Sequence, residues 1–79
     1  MSVQVVYVEA GAPIRRVRLM CKEVPTDVLL VEQDDYNDEG GVEFRCEGLS
    51  SVTVCASVED AITFANQIIR LANQIKEKE

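Results

Sequence analysis

The stretch "SVEDAITFANQIIRLANQIK", residues 57–76, decides the architecture. Ser57 reads as an N-cap, with Asp60 three residues later in a capping-box arrangement. Glu59 and Asp60 put negative charge into the positive first turn. Ala61, Phe64, Ala65, Ile68, Leu71, Ala72 and Ile75 then recur at steps of three and four, and Ile62 and Ile69 widen the stripe. No glycine or proline interrupts the run, and Lys76 and Lys78 close it with the favourable sign. The spacing predicts an amphipathic helix over 58–77, whose stripe needs an apolar surface to lie on.

Everything upstream reads as strands. Residues 3–8, "VQVVYV", are β-branched and aromatic. In 14–22, "IRRVRLMCK", Val17, Leu19 and Cys21 fall on one face and Arg16, Arg18 and Met20 on the other. Pro25 ends that pairing, and 28–32, "VLLVE", is apolar throughout. Residues 42–47, "VEFRCE", alternate, with Val42, Phe44 and Cys46 expected inward and Glu43, Arg45 and Glu47 outward. "VTVCA", 52–56, completes the set. Loops this short make neighbouring strands antiparallel. The expected fold is a single α+β domain over 1–79: an antiparallel sheet of four to five short strands, then one C-terminal amphipathic helix packed on one face.

One helix covers one sheet face, yet the first and third strands are apolar on both: Val3, Val5 and Tyr7 against Val6 and Val8, Val28 and Leu30 against Leu29 and Val31. Each such side chain left wet forgoes roughly 1.5–3 kcal/mol. Self-association as a homodimer is the favoured resolution. The alternative makes both strands central in a strongly twisted sheet. Cys21, Cys46 and Cys55, an odd and widely spaced set, read as reduced thiols buried in the core. With no signal-peptide pattern at the start and no apolar run of bilayer length, a cytoplasmic, membrane-free chain is expected.

Histidine is absent, which removes the commonest general base and the commonest metal ligand. No nucleophile–base pair, phosphate loop or CxxC motif stands in its place, so neither catalytic residues nor a cofactor is expected. Charge is concentrated instead. Residues 32–60 carry nine acids against Arg45 alone, while the flanking segments are each +1 and the chain −6. A field of this sign disfavours direct nucleic-acid binding.

The acidic peak is "VEQDDYNDEGGVEF", 31–44. Asp35, Asn37, Glu39 and Gly40 match the start of an EF-hand loop, but its closing glutamate is replaced by Cys46, so no metal site is assigned. Two readings stay open. One is a hydrated hairpin tip. The other is a docking surface made by Asp34, Asp35, Tyr36, Asp38, Glu39, Glu43 and Glu47, with Tyr36 as its aromatic anchor. Arg15, Arg16 and Arg18 read as guards of an edge strand or as ion-pair partners of Glu43 and Glu47.

A short chain with a few strands, the terminal segment "ASVEDAITFANQIIRLANQIKEKE", no catalytic set and a concentrated acidic patch resembles the small inhibitors encoded by phages and mobile elements, anti-CRISPR proteins among them. The resemblance implies a stoichiometric inhibitor in the host cytoplasm. Its acidic surface would block a basic, nucleic-acid-binding surface of a partner protein complex. The alternative from another class is a homodimeric structural or adaptor protein acting through its apolar sheet face.

Overall fold

In the computed structural model, which describes residues 3–7, 13–24, 26–34, 40–48 and 51–78, five strands precede one helix. The strands are β1 (Val3–Tyr7), β2 (Ile14–Met20), β3 (Val28–Gln33), β4 (Val42–Glu47) and β5 (Val52–Ala56); the helix is α1 (Val58–Glu77). They form one sheet in the order β1-β2-β3-β4-β5, every neighbour antiparallel. This is the expected α+β fold. Among the described residues, no helix is long and apolar enough to cross a membrane.

The register sorts the sheet into two unlike faces. On one face, Val3, Leu19, Leu29, Cys46 and Val52 line up across all five strands, and so do Val5, Val17, Val31, Phe44 and Val54. On the other, Gln4, Arg18, Leu30, Arg45 and Thr53 form one row; Val6, Arg16, Glu32, Glu43 and Cys55 form the next. Period-two alternation, kept in phase through four pairings, puts an uncharged surface on one side and a charged one on the other.

Burial does not follow that division. The buried apolar side chains among the described residues are Val28 and Leu30, both on the charged face, with Leu30 only 5% exposed. Leu30 pairs with Arg18 on one side and Arg45 on the other. The aliphatic stems of the two arginines account for its cover. On the apolar face Val17, Leu29, Val31, Val42 and Phe44 are half-buried, whereas Leu19, Val52 and Val54 are exposed. The inward assignment of Val42, Phe44 and Cys46 is right about the shared face, but Cys46 itself is exposed.

Several expectations are corrected here. Cys21, Cys46 and Cys55 are free, as read, but all three are exposed rather than core thiols. Cys21 lies beyond the end of β2, and the other two sit on exposed sheet positions of β4 and β5. β2 stops at Met20, not at residue 22, because the chain turns. The Cys21 N–H donates to the Asp27 carbonyl (2.9 Å), the Asp27 N–H to the Val24 carbonyl (2.9 Å), and the Val24 N–H to Cys21 Sγ (3.4 Å). β2 is also an interior strand, so Arg15, Arg16 and Arg18 guard no edge. Val8, expected in the first strand, lies outside the described residues.

The helix begins as expected. Ser57 is the N-cap, its Oγ accepting from the Asp60 N–H at 3.1 Å, and the Ala61 N–H donates to the Ser57 carbonyl at 3.0 Å. At the other end the Lys78 N–H returns to the Ile75 carbonyl at 3.1 Å. Only Ser57 separates β5 from α1. No residue of the helix is buried.

Candidate functional site

Two surfaces compete for a functional reading: the acidic end of the β3–β4 hairpin, and the apolar face with the helix beside it.

At the hairpin, Asp34 follows β3 and Gly41 precedes β4. The Asp34 N–H donates to the Gly41 carbonyl at 3.0 Å and closes the neck of the loop. Gly41 is buried, and a Cβ there would stand 2.8 Å from the Ala56 carbonyl oxygen, so the close approach of β4 to the end of β5 requires glycine. Asp34 is 7% exposed and engages Cys55. It is therefore built into the neck. Desolvation pushes the Cys55 thiol up from its ordinary pKa, and the Asp34 carboxylate adds to this through its charge and its hydrogen bond, with a further contribution from Glu43. A raised pKa means less thiolate at a given pH. Alkylation of Cys55 by iodoacetamide at pH 8 is accordingly expected to run faster in Asp34→Asn than in the wild type. Mass spectrometry of the modified peptides reads the ratio.

Glu43 and Glu47 lie on the charged sheet face, beside Arg45 rather than in an unbroken acidic surface. Arg45 Nη1 is 3.6 Å from Glu43 Oε1 and 3.3 Å from Glu32 Oε1, and Arg45 Nε is 3.0 Å from Glu47 Oε1. The Glu47 hydrogen bond is the largest of the influences that raise the Arg45 pKa, with the charges of Glu32 and Glu43 acting in the same direction. Arg16 Nε reaches Glu32 Oε2 at 3.6 Å, and Arg18 Nη1 donates to Gln4 Oε1 at 3.2 Å. The ion pairs read for these arginines with Glu43 and Glu47 are not the ones formed: Arg16 pairs with Glu32, Arg18 donates to the uncharged Gln4, and Glu43 and Glu47 belong to Arg45. On this face two arginines, Arg16 and Arg45, meet three glutamates. Of the seven expected contact residues, Asp34, Glu43 and Glu47 thus have internal roles; Asp35, Tyr36, Asp38 and Glu39 lie outside the described residues.

The apolar face is different in kind. The helix approaches it near β4 and β5, where the Phe64 ring meets Phe44 edge-on, with centroids 5.6 Å apart and planes at 89°. Around this contact lies an open cleft of about 600 Å³ between Leu29, Phe44, Val54 and Ala56 of the sheet side and Asp60, Ala61, Thr63, Phe64 and Gln67 of α1. The helix thus turns Ala61 and Phe64 toward its own sheet, together with Asp60, Thr63 and Gln67. The large apolar residues Ile62, Phe64, Ile68, Ile69, Leu71 and Ile75 are 48–57% exposed.

The global dimensions agree. A compact chain of 8.8 kDa exposes about 4800 Å², whereas this one exposes 6700 Å². Its radius of gyration is 14.0 Å, against about 12 Å for a compact domain of this length. Comparison with protein-family models, curated proteins and solved structures yields no match for the chain.

Proposed function

We propose that the chain is a small non-enzymatic binding protein whose working surface is the apolar sheet face with its flanking helix, in the manner of a homodimeric structural or adaptor module. One observation carries this reading: two uncharged rows cross all five strands, and at Leu19, Val52 and Val54 they stand exposed. A contiguous apolar surface of this extent marks an interface.

The second reading is the one the acidic segment suggests: an inhibitor of the anti-CRISPR type that occupies a partner's basic, nucleic-acid-binding surface. It is favoured by the charge of the loop, where Asp34, Asp35, Asp38 and Glu39 follow one another with no basic residue between. Its contact set narrows to Asp35, Tyr36, Asp38 and Glu39, since Asp34, Glu43 and Glu47 are engaged within the sheet.

A three-way affinity capture from nuclease-treated lysate separates the two. It compares the wild type, Val31→Asp on the apolar face, and a variant with Asp35, Asp38 and Glu39 changed to lysine. Under the first reading Val31→Asp loses at least tenfold of the captured material and the loop variant retains it. Under the second the loop variant loses it, and heparin displaces what the wild type holds.

A further inference from the structure

Resting on the reading of the apolar face as an interface, we infer that its occupant is a second copy of this chain, and that the helices are exchanged: each α1 lies with its apolar stripe across the sheet of the other subunit.

The argument starts from the direction of the stripe. At 100° per residue, the midline of the stripe Ala61, Phe64, Ala65, Ile68, Leu71, Ala72 and Ile75 stands roughly 70° around the helix from the side that lines the cleft. Of these seven, Ala61 and Phe64 line the cleft. Ala65, Ile68, Leu71, Ala72 and Ile75 do not, and all five are exposed, so most of the stripe lies off its own sheet.

The link is short. Ser57 is the single residue between β5 and α1, and its side chain and carbonyl accept from the N–H groups of Asp60 and Ala61. Cap and helix therefore move as one body about this single residue. The chain presents, side by side, an apolar sheet face and an apolar helix stripe that meet at the Phe44–Phe64 contact and are otherwise largely exposed.

Each surface is what the other lacks. A 20-residue helix is about 30 Å long, and five strands place their outer axes about 19 Å apart, so one helix spans the sheet. A two-fold axis that sets the stripe of each chain on the face of the other satisfies all four surfaces at once and leaves no open end. The two rows carry no charged residue, so nothing in them opposes the contact. The excess exposed surface is about 1900 Å² per chain, or about 3800 Å² for a pair, within the range that obligate homodimers bury.

The test uses the intact wild-type chain. Labelled and unlabelled protein are mixed, unfolded and refolded together, and isotope-filtered NOE spectra are recorded. Methyl contacts from Ile68, Leu71 and Ile75 of one molecule to Val17 and Leu19 of the other are expected. The same contacts found only within one molecule overturn the exchange. Sedimentation equilibrium supplies the second arm. Twice the chain mass is expected, and a monomer at every concentration overturns both this inference and the homodimer reading beneath it. A dimer without the cross-molecule contacts overturns the exchange alone. As a third arm, Leu19→Asp and Ile68→Asp are each expected to weaken self-association by on the order of a hundredfold or more. Mixed together, the two variants are expected to recover a dimer, because the mixed pair keeps one intact helix–sheet contact. Helices packed on their own sheets give no such rescue, and its absence with both variants folded counts against the exchange.

Discussion

Diluting the protein from 100 µM to 1 µM is expected to lower the urea midpoint of its unfolding by about 1 M. The reasoning runs from the thinness of the subunit's own core. Val28 and Leu30 are the buried apolar side chains among its described residues, while the helix contributes none. Seventy-nine residues are already near the lower limit for one self-sufficient core. Under the homodimer proposal, a sheet so poorly covered draws its stability from association, and stability so derived follows mass action. A hundredfold dilution removes about 2.7 kcal/mol, which at a typical urea slope for a small assembly corresponds to the midpoint change above. Circular dichroism at the two concentrations, in cells of matched path, reads it directly. A midpoint that does not move with concentration means that the single subunit holds itself together.

Leu30→Ala is expected to destabilise the protein by about 2–4 kcal/mol at fixed concentration, the largest effect of any single truncation on the charged face. Leu30 is the most buried apolar residue described, on a central strand, with Arg18 and Arg45 beside it in the same cross-strand row. Removing its branched end leaves a hole that two arginine stems, held by Gln4 and by Glu32, Glu43 and Glu47, close only in part. Because Leu30 faces away from the apolar rows, the same variant is expected to keep its sedimentation behaviour in the absence of denaturant. Urea unfolding and sedimentation together separate loss of folding from loss of assembly. A change of less than 1 kcal/mol, read at fixed concentration, means the arginines cover a site that contributes little.

Local patterns in the sequence locate nearly every element. The alternation of "VEFRCE" and the run "VTVCA" mark β4 and β5 at the bounds observed, and Ser57 with Asp60 marks the helix start, because both signals act over a few residues. What depends on neighbours far along the chain is less legible. That β2 is interior, and that Arg16 meets Glu32 while Arg45 gathers three glutamates, follows from strand order and register, which no local pattern encodes. The cysteines illustrate the same limit: an apolar stretch says which face a thiol shares, not whether anything covers that face. Asp34 reads as one acid among several in the loop. Its place in the neck emerges only when Gly41 and Cys55 are brought beside it. The two-faced apolar pattern of β3 is met by its central place in the sheet, where Val28 and Leu30 are buried, whereas β1 lies at an edge with Val3 and Val5 exposed.

The sheet joins only strands adjacent along the chain, β1 to β2 and so on to β5. Such a meander has short-range closure at every step, so it can zip up on the millisecond scale or faster without waiting for distant segments to meet. Nothing in that process requires the helix. Under the homodimer proposal, assembly of the sheet is a first-order event, and the cover of its apolar face a later, second-order one. Between the two lies an interval in which two uncharged rows of side chains stand open to any passing hydrophobic surface. On that proposal a newly synthesised copy depends on the abundance of its own kind: when copies are scarce, that interval lengthens, and chaperones and proteases have longer to act on it.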